Sequence, residues 1–378
     1  MPQIHADRRA RAQPKIAALG ADAALITSRP NVRYLTGLVS SNAALLLPAD
    51  GPGVLATDSR YEEAARRDCP DLELVSERFI EPALARLAAA RGLRLLAFEA
   101  HDVTVERFRE LDALDDGPAL VPSGRIIEEL RMVKDSGEIA LLARACAITD
   151  EAFAAALPGI GPGRTEREFA ILLERAMIDC GAEALAFDSI VASGPNGALP
   201  HHAPGDRPFA AGDLITIDCG ARYGGYHADM TRTVALGEPA AWQRDIYELV
   251  ATAQRAGVQA ARPGADVRDV DAAARDLIAG AGHGDHFRHG LGHGIGLEVH
   301  EAPLIGYART GTLVDRVPVT VEPGIYLPGR GGVRIEDTLV VRDPREGLGG
   351  SSPQAGTGAG AAGSHQMLTT TSRELLVL

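Results

Sequence analysis

Two glycine turns, each flanked by apolar runs that carry acidic residues, constrain this chain more than any other feature. The first lies in Leu214-Ile-Thr-Ile-Asp218 … Gly224-Gly225 … Asp229-Met-Thr-Arg-Thr. An apolar run enters Asp218, glycines reverse the chain, and a second run leaves Asp229. Residues equidistant from a hairpin turn face each other. The midpoint of 218 and 229 falls at this turn, so the two carboxylates are expected directly opposite, about 5 Å apart. The second is Val319-Thr-Val-Glu322 … Pro328-Gly-Arg-Gly-Gly332 … Val333-Arg-Ile-Glu336. Its acids are centred on position 329, again in the turn. Like charges so close destabilise a sheet unless a cation sits between them.

A third feature completes the set. In Arg288-His289-Gly-Leu-Gly-His293-Gly-Ile-Gly, glycines flank His293 on both sides, so backbone packs closely around it. Four carboxylates and one neutral imidazole carry a charge balanced by two divalent cations. Oxygen ligands with one imidazole suit Mn²⁺, Fe²⁺, Co²⁺ or Zn²⁺ better than a thiolate site would. Two metals about 3.5–4 Å apart would share a water and lower its pKa. Taken singly, each acid reads as a solvated or capping residue, and His293 as a hydrogen-bonded core histidine. The mirrored pattern favours metal.

The rest of the chain supplies a scaffold. From the N-terminus to about residue 125, short apolar runs alternate with helical patterns. The runs Ala23–Thr27, Ala43–Leu47 and Leu93–Phe98 and the helices 61–68, 82–91 and 105–114 predict an α/β layer domain. The string Ser28-Arg-Pro-Asn reads as a turn. A breaker-poor helical stretch, 126–157, opens a second domain covering 126–378. Thr165-Glu-Arg-Glu168 is a capping box that starts a helix ending near Gly181. Beyond it come β-like runs (214–217, 232–235, 317–321 and 333–341) around helices at 241–260 and 267–279. A Gly/Ala-rich segment, 344–366, reads as a loop, and Glu374–Leu378 as a returning strand. Within that loop, Gly358-Ala-Gly-Ala-Ala-Gly363 matches a phosphate-loop spelling. It lacks the strand before and the helix after that such a loop needs.

Composition narrows the function. The net charge of −13 argues against nucleic acid as a partner. Four cysteines, none closer than 34 positions to another, read as reduced thiols. No apolar run approaches the roughly 18 residues of a membrane span, and no apolar stretch follows the basic N-terminal residues. The cytoplasm is the expected location.

The order Asp218, Asp229, His293, Glu322, Glu336, with the strings IDCGARYGGYHADMTRT, GHGIGLEVHE, VEPGIY and GGVRIEDT, resembles the methionine aminopeptidase/prolidase/aminopeptidase P family. The strings look like its proline-specific branch. The resemblance covers about residues 126–342, and Arg29-Pro-Asn-Val-Arg-Tyr-Leu-Thr-Gly37 resembles the creatinase-like N-terminal domain of that branch. It implies an α/β N-terminal domain (1–125) followed by an α+β pita-bread catalytic domain. It further implies that Asp218 binds one metal, that Asp229 and Glu336 bridge both, and that His293 and Glu322 bind the second. Glu322 then takes the proton of the attacking water and passes it to the leaving nitrogen. His201 matches the family histidine near the scissile bond. His300 matches the one that stabilises the tetrahedral species. Arg334 braces the acids from behind.

The implied activity is hydrolysis of Xaa-Pro bonds in proline-containing peptides by two divalent ions, manganese first, in a homodimer. Prolidase members of that family often carry an arginine soon after the HE-x-P string. Here Leu304 stands in that stretch, which tilts the expectation from a dipeptidase towards an aminopeptidase P-like enzyme acting on longer peptides. Arg309 or Arg330 could substitute. The rivals are a metal-free amidinohydrolase of the same fold and a non-catalytic binding protein. Relatives of both kinds lose ligands that this chain retains.

Overall fold

The computed structural model describes residues 2–345 and 364–378, so Gly358–Gly363 and most of the 344–366 segment lie outside the described residues. The chain divides into two compact units, Met1–Arg131 and Met132–Leu378.

The first unit holds helices α1 (Pro2–Ala18), α2 (Arg29–Thr36), α3 (Glu62–Asp68), α4 (Ile80–Ala90), α5 (Val105–Asp112) and α6 (Ile126–Met132). Its strands are β1 (Ala23–Ile26), β2 (Ala43–Pro48), β3 (Val54–Thr57), β4 (Glu73–Ser76), β5 (Leu95–Phe98) and β6 (Ala119–Pro122). They form one mixed sheet in the order β4-β3-β2-β1-β5-β6. The inner strands β1, β2 and β3 are buried at every position, as strands covered on both faces must be. Leu84, Ala85 and Ala88 of α4 pack with Leu25, Leu46, Val54 and Leu96 of the sheet. Each leucine or valine among them contributes about 1.5–3 kcal/mol when fully buried.

Two local readings change here. Ser28-Arg-Pro-Asn is not a free turn but the start of α2, with Pro30 in its first turn, where a missing N–H costs nothing. Helix α6, expected to open the second domain, falls almost wholly in the first unit. The helical stretch 126–157 breaks at Val133–Asp135. There Asp135 caps α7 (Ser136–Ala156), and Asp135 and Glu138 form a reciprocal capping box.

The second unit adds α8 (Glu166–Asp179), α9 (Ala241–Ala260) and α10 (Val267–Gly280). Its strands are β7 (Ala184–Leu185), β8 (Ile190–Ser193), β9 (Leu214–Cys219), β10 (Ala221–Tyr223), β11 (Tyr226–His227), β12 (Met230–Ala235), β13 (Gly292–Gly294), β14 (Glu301–Ile305), β15 (Pro318–Val321), β16 (Gly324–Leu327), β17 (Gly331–Arg334), β18 (Asp337–Val341) and β19 (His365–Met367). The main sheets run β12-β9-β8 and β14-β13-β15-β18-β19, with β16-β17 as a separate ribbon. Helices α7 and α8 cover the first sheet through Ile148, Phe153, Phe169 and Leu173 against Val191, Ile215 and Ile217. Helices α9 and α10 cover the second through Ile246, Val250, Val270 and Ile278, packed with Val319, Val321 and Leu339. This doubled arrangement of a helix pair on a sheet is the expected pita-bread form, with strands of both halves converging on the acids. The C-terminal run 374–378 makes a single bridge, Ala235 to Val377, rather than a strand.

Candidate active site

The first hairpin turns on Gly224 and Gly225, whose φ of +57° and +83° suit the tight hairpin turn that glycine favours. Tyr223 pairs with Tyr226, Arg222 with His227, and Asp218 with Thr231. The register therefore centres between the two glycines, one residue later than the acid midpoint. Asp218 and Asp229 are not directly opposite. Asp229 sits two residues from Thr231, on the same side as Asp218, as a diagonal neighbour. The second hairpin keeps its expected register: Gly324 pairs with Arg334 and Leu327 with Gly331, centred on 329. Glu322 and Glu336 lie two residues past the last paired strand residues at its open end. Glu336 leaves the ribbon there to enter β18, and its N–H donates to the Thr231 carbonyl at 3.0 Å.

His293 is the middle residue of β13, and its N–H donates to Thr320 Oγ1 at 3.1 Å. A Cβ at Gly292 would lie 2.0 Å from the Thr320 carbonyl oxygen, and one at Gly294 2.2 Å from that of Ala302. Only glycine lets β13 lie this close to both neighbours. His293 Nδ1 lies 3.0 Å from the Gly294 carbonyl, so Nδ1 carries the proton and Nε2 offers a lone pair. That Nε2 lies 3.6 Å from Asp229 Oδ2 and 3.5 Å from Glu322 Oε1. Burial pulls the His293 imidazole down to about 4, so it is neutral at pH 7.

The carboxylates respond as like charges must in a buried place. Burial, then Glu336, Asp218 and Glu322, push Asp229 well above the usual range. Burial, then Glu336, do the same to Glu322. Glu336 is pushed up to about 8 by burial and then by Asp218. Relief comes from Arg334, buried at the end of β17, whose Nη2 donates to Asp218 Oδ2 at 2.7 Å. Its Nε donates to Thr231 Oγ1 at 3.0 Å, and that hydroxyl donates to Glu336 Oε2 at 2.7 Å. One cation does not neutralise four acids, and Asp218 Oδ1 is buried without a hydrogen-bond partner among the described residues. Ligand atoms of Asp229, His293 and Glu336 all lie within 4.8 Å of one another. Hard oxygens, one lone-pair nitrogen, an orphaned buried oxygen and excess negative charge fit divalent cations.

A cavity of about 1050 Å³ opens over this floor. Asp218, Asp229, His293, Glu322, Glu336, Arg334, His201 and His300 all line it. The rings of His293 and His300 lie 4.4 Å apart, edge to face. Burial lowers His300, so it too favours the neutral form. Leu304 is on the cavity wall and 40% exposed, which leaves an apolar surface at that point. Of the two substitutes considered for its charge, Arg309 lines the cavity, whereas Arg330 stacks on Trp242.

Three contributors were missed or left without a role by sequence reasoning. Thr231 links Arg334 to Glu336; its two-residue spacing from Asp229, on one strand face, was the available signal. Tyr326 donates to His289 Nε2 at 3.0 Å and accepts from Arg334 Nη1 at 3.0 Å. Asp337, next to Glu336, is held by Arg232 at 2.8 Å and Gln254 at 2.7 Å, which fixes the strand behind the acids. A second acid–histidine group, Glu99, His101 and Glu128, lies in the first unit. Glu99 already accepts from the N–H groups of Thr27 and Ser28 at 2.6 and 2.7 Å, so it needs no ion.

Residues 140–343 match Metallopeptidase family M24, and residues 8–133 match the Creatinase/Prolidase N-terminal domain. The chain is 40% identical to the uncharacterized peptidase YqhT of Bacillus subtilis over 326 residues, covering 86% of this chain and 92% of that one. Its fold is similar to the Xaa-Pro dipeptidase from Bacillus anthracis, with a TM-score of 0.90 and 34% identity over 99% of this chain and 100% of that one. It is also similar to the X-Pro aminopeptidase from Thermotoga maritima, with a TM-score of 0.86 and 35% identity over 98% and 99%. The strands that bring the acids together are thus those of known peptidases, and the chain belongs to metallopeptidase family M24, with a creatinase/prolidase N-terminal domain.

Proposed function

We propose that this metallopeptidase hydrolyses the Xaa-Pro bond at the N-terminus of short peptides. The observation that carries the reading is the crowding of Asp229, Glu322 and Glu336 with the imidazole of His293 on the floor of an open cavity that Asp218 also lines. Asp218, Asp229, His293, Glu322 and Glu336 would hold two divalent ions, with manganese the first choice. When bound, such ions polarise a carbonyl and acidify a water. Glu322, partly exposed to the cavity, receives the proton of the attacking water and returns it to the proline nitrogen as that nitrogen leaves. His201 and His300 donate to the substrate carbonyl as charge builds on its oxygen. Arg334 keeps Asp218 oriented throughout.

Dipeptides are the first substrate class to test, because several similar proteins are called Xaa-Pro dipeptidase or prolidase. A second reading, aminopeptidase P-like cleavage of longer peptides, is favoured by the uncharged Leu304 on the cavity wall. An assay with manganese that compares Xaa-Pro with Xaa-Pro-Yaa-Zaa separates the two. Turnover of neither substrate would refute the common reading. A homodimer is part of the proposal, checked by sedimentation.

A further inference from the structure

Glu166, the first residue of α8, is fully buried, yet α8 does not need it as a cap. Thr165 and Glu168 already form the capping box. The Glu166 carboxylate instead binds the loop that carries His201. Its Oε1 accepts from Ser193 N at 2.8 Å, Ser193 Oγ at 2.7 Å and Asn196 Nδ2 at 3.0 Å. Its Oε2 accepts from Gly205 N at 3.1 Å and lies 2.7 Å from His202 Nε2. One side chain thus pins residues 193, 196, 202 and 205. Burial raises the Glu166 carboxyl, but hydrogen bonds from Ser193, Asn196 and His202 outweigh it and hold the group below the usual range. An ionised carboxylate only accepts, so His202 Nε2 carries a proton. From the other side, Arg334 Nη1 donates to the Pro200 carbonyl at 3.4 Å. His201 is therefore held between two anchors, the Pro200 carbonyl and the His202 ring. Consecutive Cα atoms are about 3.8 Å apart, so a displaced His202 carries His201 with it.

Building on the hydrolase reading, we propose that Glu166 and His202 are a positioning pair that fixes His201 over the reacting carbonyl. Glu166 does not line the cavity; His202 lies on its wall, but its Nε2 is turned to Glu166, and both act through His201. A misplacement of about 1 Å in such a group costs up to about 100-fold in rate.

The test uses the metal-loaded full chain with an Xaa-Pro peptide. His202→Leu, which keeps bulk and removes the donor, should lower kcat about 10- to 100-fold with KM little changed. His202→Gln, which restores an N–H, should recover most of that loss. In the double-mutant cycle, His202→Leu should add no further loss to His201→Ala. An equal loss in both backgrounds would overturn the proposal, as would failure of the glutamine to rescue. Ring nitrogen shifts of the metal-free protein at pH 8 give a readout that needs no activity. The Nε2–H form of His202 is expected, and the Nδ1–H form overturns the pair even if the enzyme is active. An inactive wild-type enzyme with Nε2–H His202 instead refutes the hydrolase reading, and with it the positioning role.

Discussion

Replacing Gly292 with alanine should damage the site without touching any proposed ligand. The added methyl would sit 2.0 Å from the Thr320 carbonyl oxygen and 3.1 Å from its hydroxyl. Comfortable contact begins at about 3.5 Å, so the shortfall is about 1.5 Å. Thr320 has no room to withdraw, because β18 pairs on its far side through Thr338. Strand β13 must therefore back away, taking His293 with it. Overpacking of this kind costs about 1–3 kcal/mol, and loss of the bond from His293 N to Thr320 Oγ1 adds about 1 kcal/mol. Thermal unfolding should report a loss of about 2–4 kcal/mol. Calorimetric titration with Mn²⁺ should show affinity weakened about 10- to 100-fold, the scale for disturbing a ligand's support. Gly280→Ala is the control. It ends α10 with nothing within 4 Å of the new carbon, and should leave metal affinity unchanged and stability equal or slightly raised. If Gly292→Ala melts and binds manganese like the parent, close strand packing does not set His293.

Other perturbations probe separate parts of the account. Glu322→Gln should fold normally but lose peptidase activity by orders of magnitude; near-normal turnover would remove Glu322 from the mechanism. Lys134→Met should destabilise the second unit by about 3–5 kcal/mol, because Lys134 Nζ lies 2.8 Å from Glu301 Oε2 and both side chains are buried; an unchanged melting curve would refute this. Burial pushes the Glu99 carboxyl up to about 7, from 4.5 when free. Folding then favours its protonated form, so this contribution is complete below about pH 4.5 and fades as pH rises through about 7, by about 3 kcal/mol. Denaturation at pH 5 and pH 8 should show that slope in the parent and a flatter one in Glu99→Gln.

Much of the site was legible because hairpin geometry is written in short-range signals. Glycine turns with acids spaced evenly about them brought Asp218 near Asp229 and Glu322 near Glu336, and the family resemblance joined the two pairs and His293 in one set. The one-residue error in the first hairpin arose from centring it on the acids; Gly224-Gly225 themselves set the register. The single run expected at 333–341 is two strands, because Glu336 is where the chain changes sheets. What sequence did not reveal was support from afar. Thr231 meets Arg334 only through packing between strands 103 positions apart, and Glu166 reaches His202 across 36 positions, whereas Tyr326 meets Arg334 within the local β16–β17 hairpin. The break before α7 was readable in Asp135 and Glu138, but the scarcity of helix breakers across 126–157 masked it.

The central claim is that the acids tolerate one another because cations lie among them. Counting divalent ions bound by the metal-stripped chain tests this most directly, by equilibrium dialysis against Mn²⁺ with elemental analysis. Two ions per chain are expected, with binding lost in Asp229→Asn and Glu336→Gln. A chain that binds no ion, or binds as well without those two carboxylates, would contradict that claim.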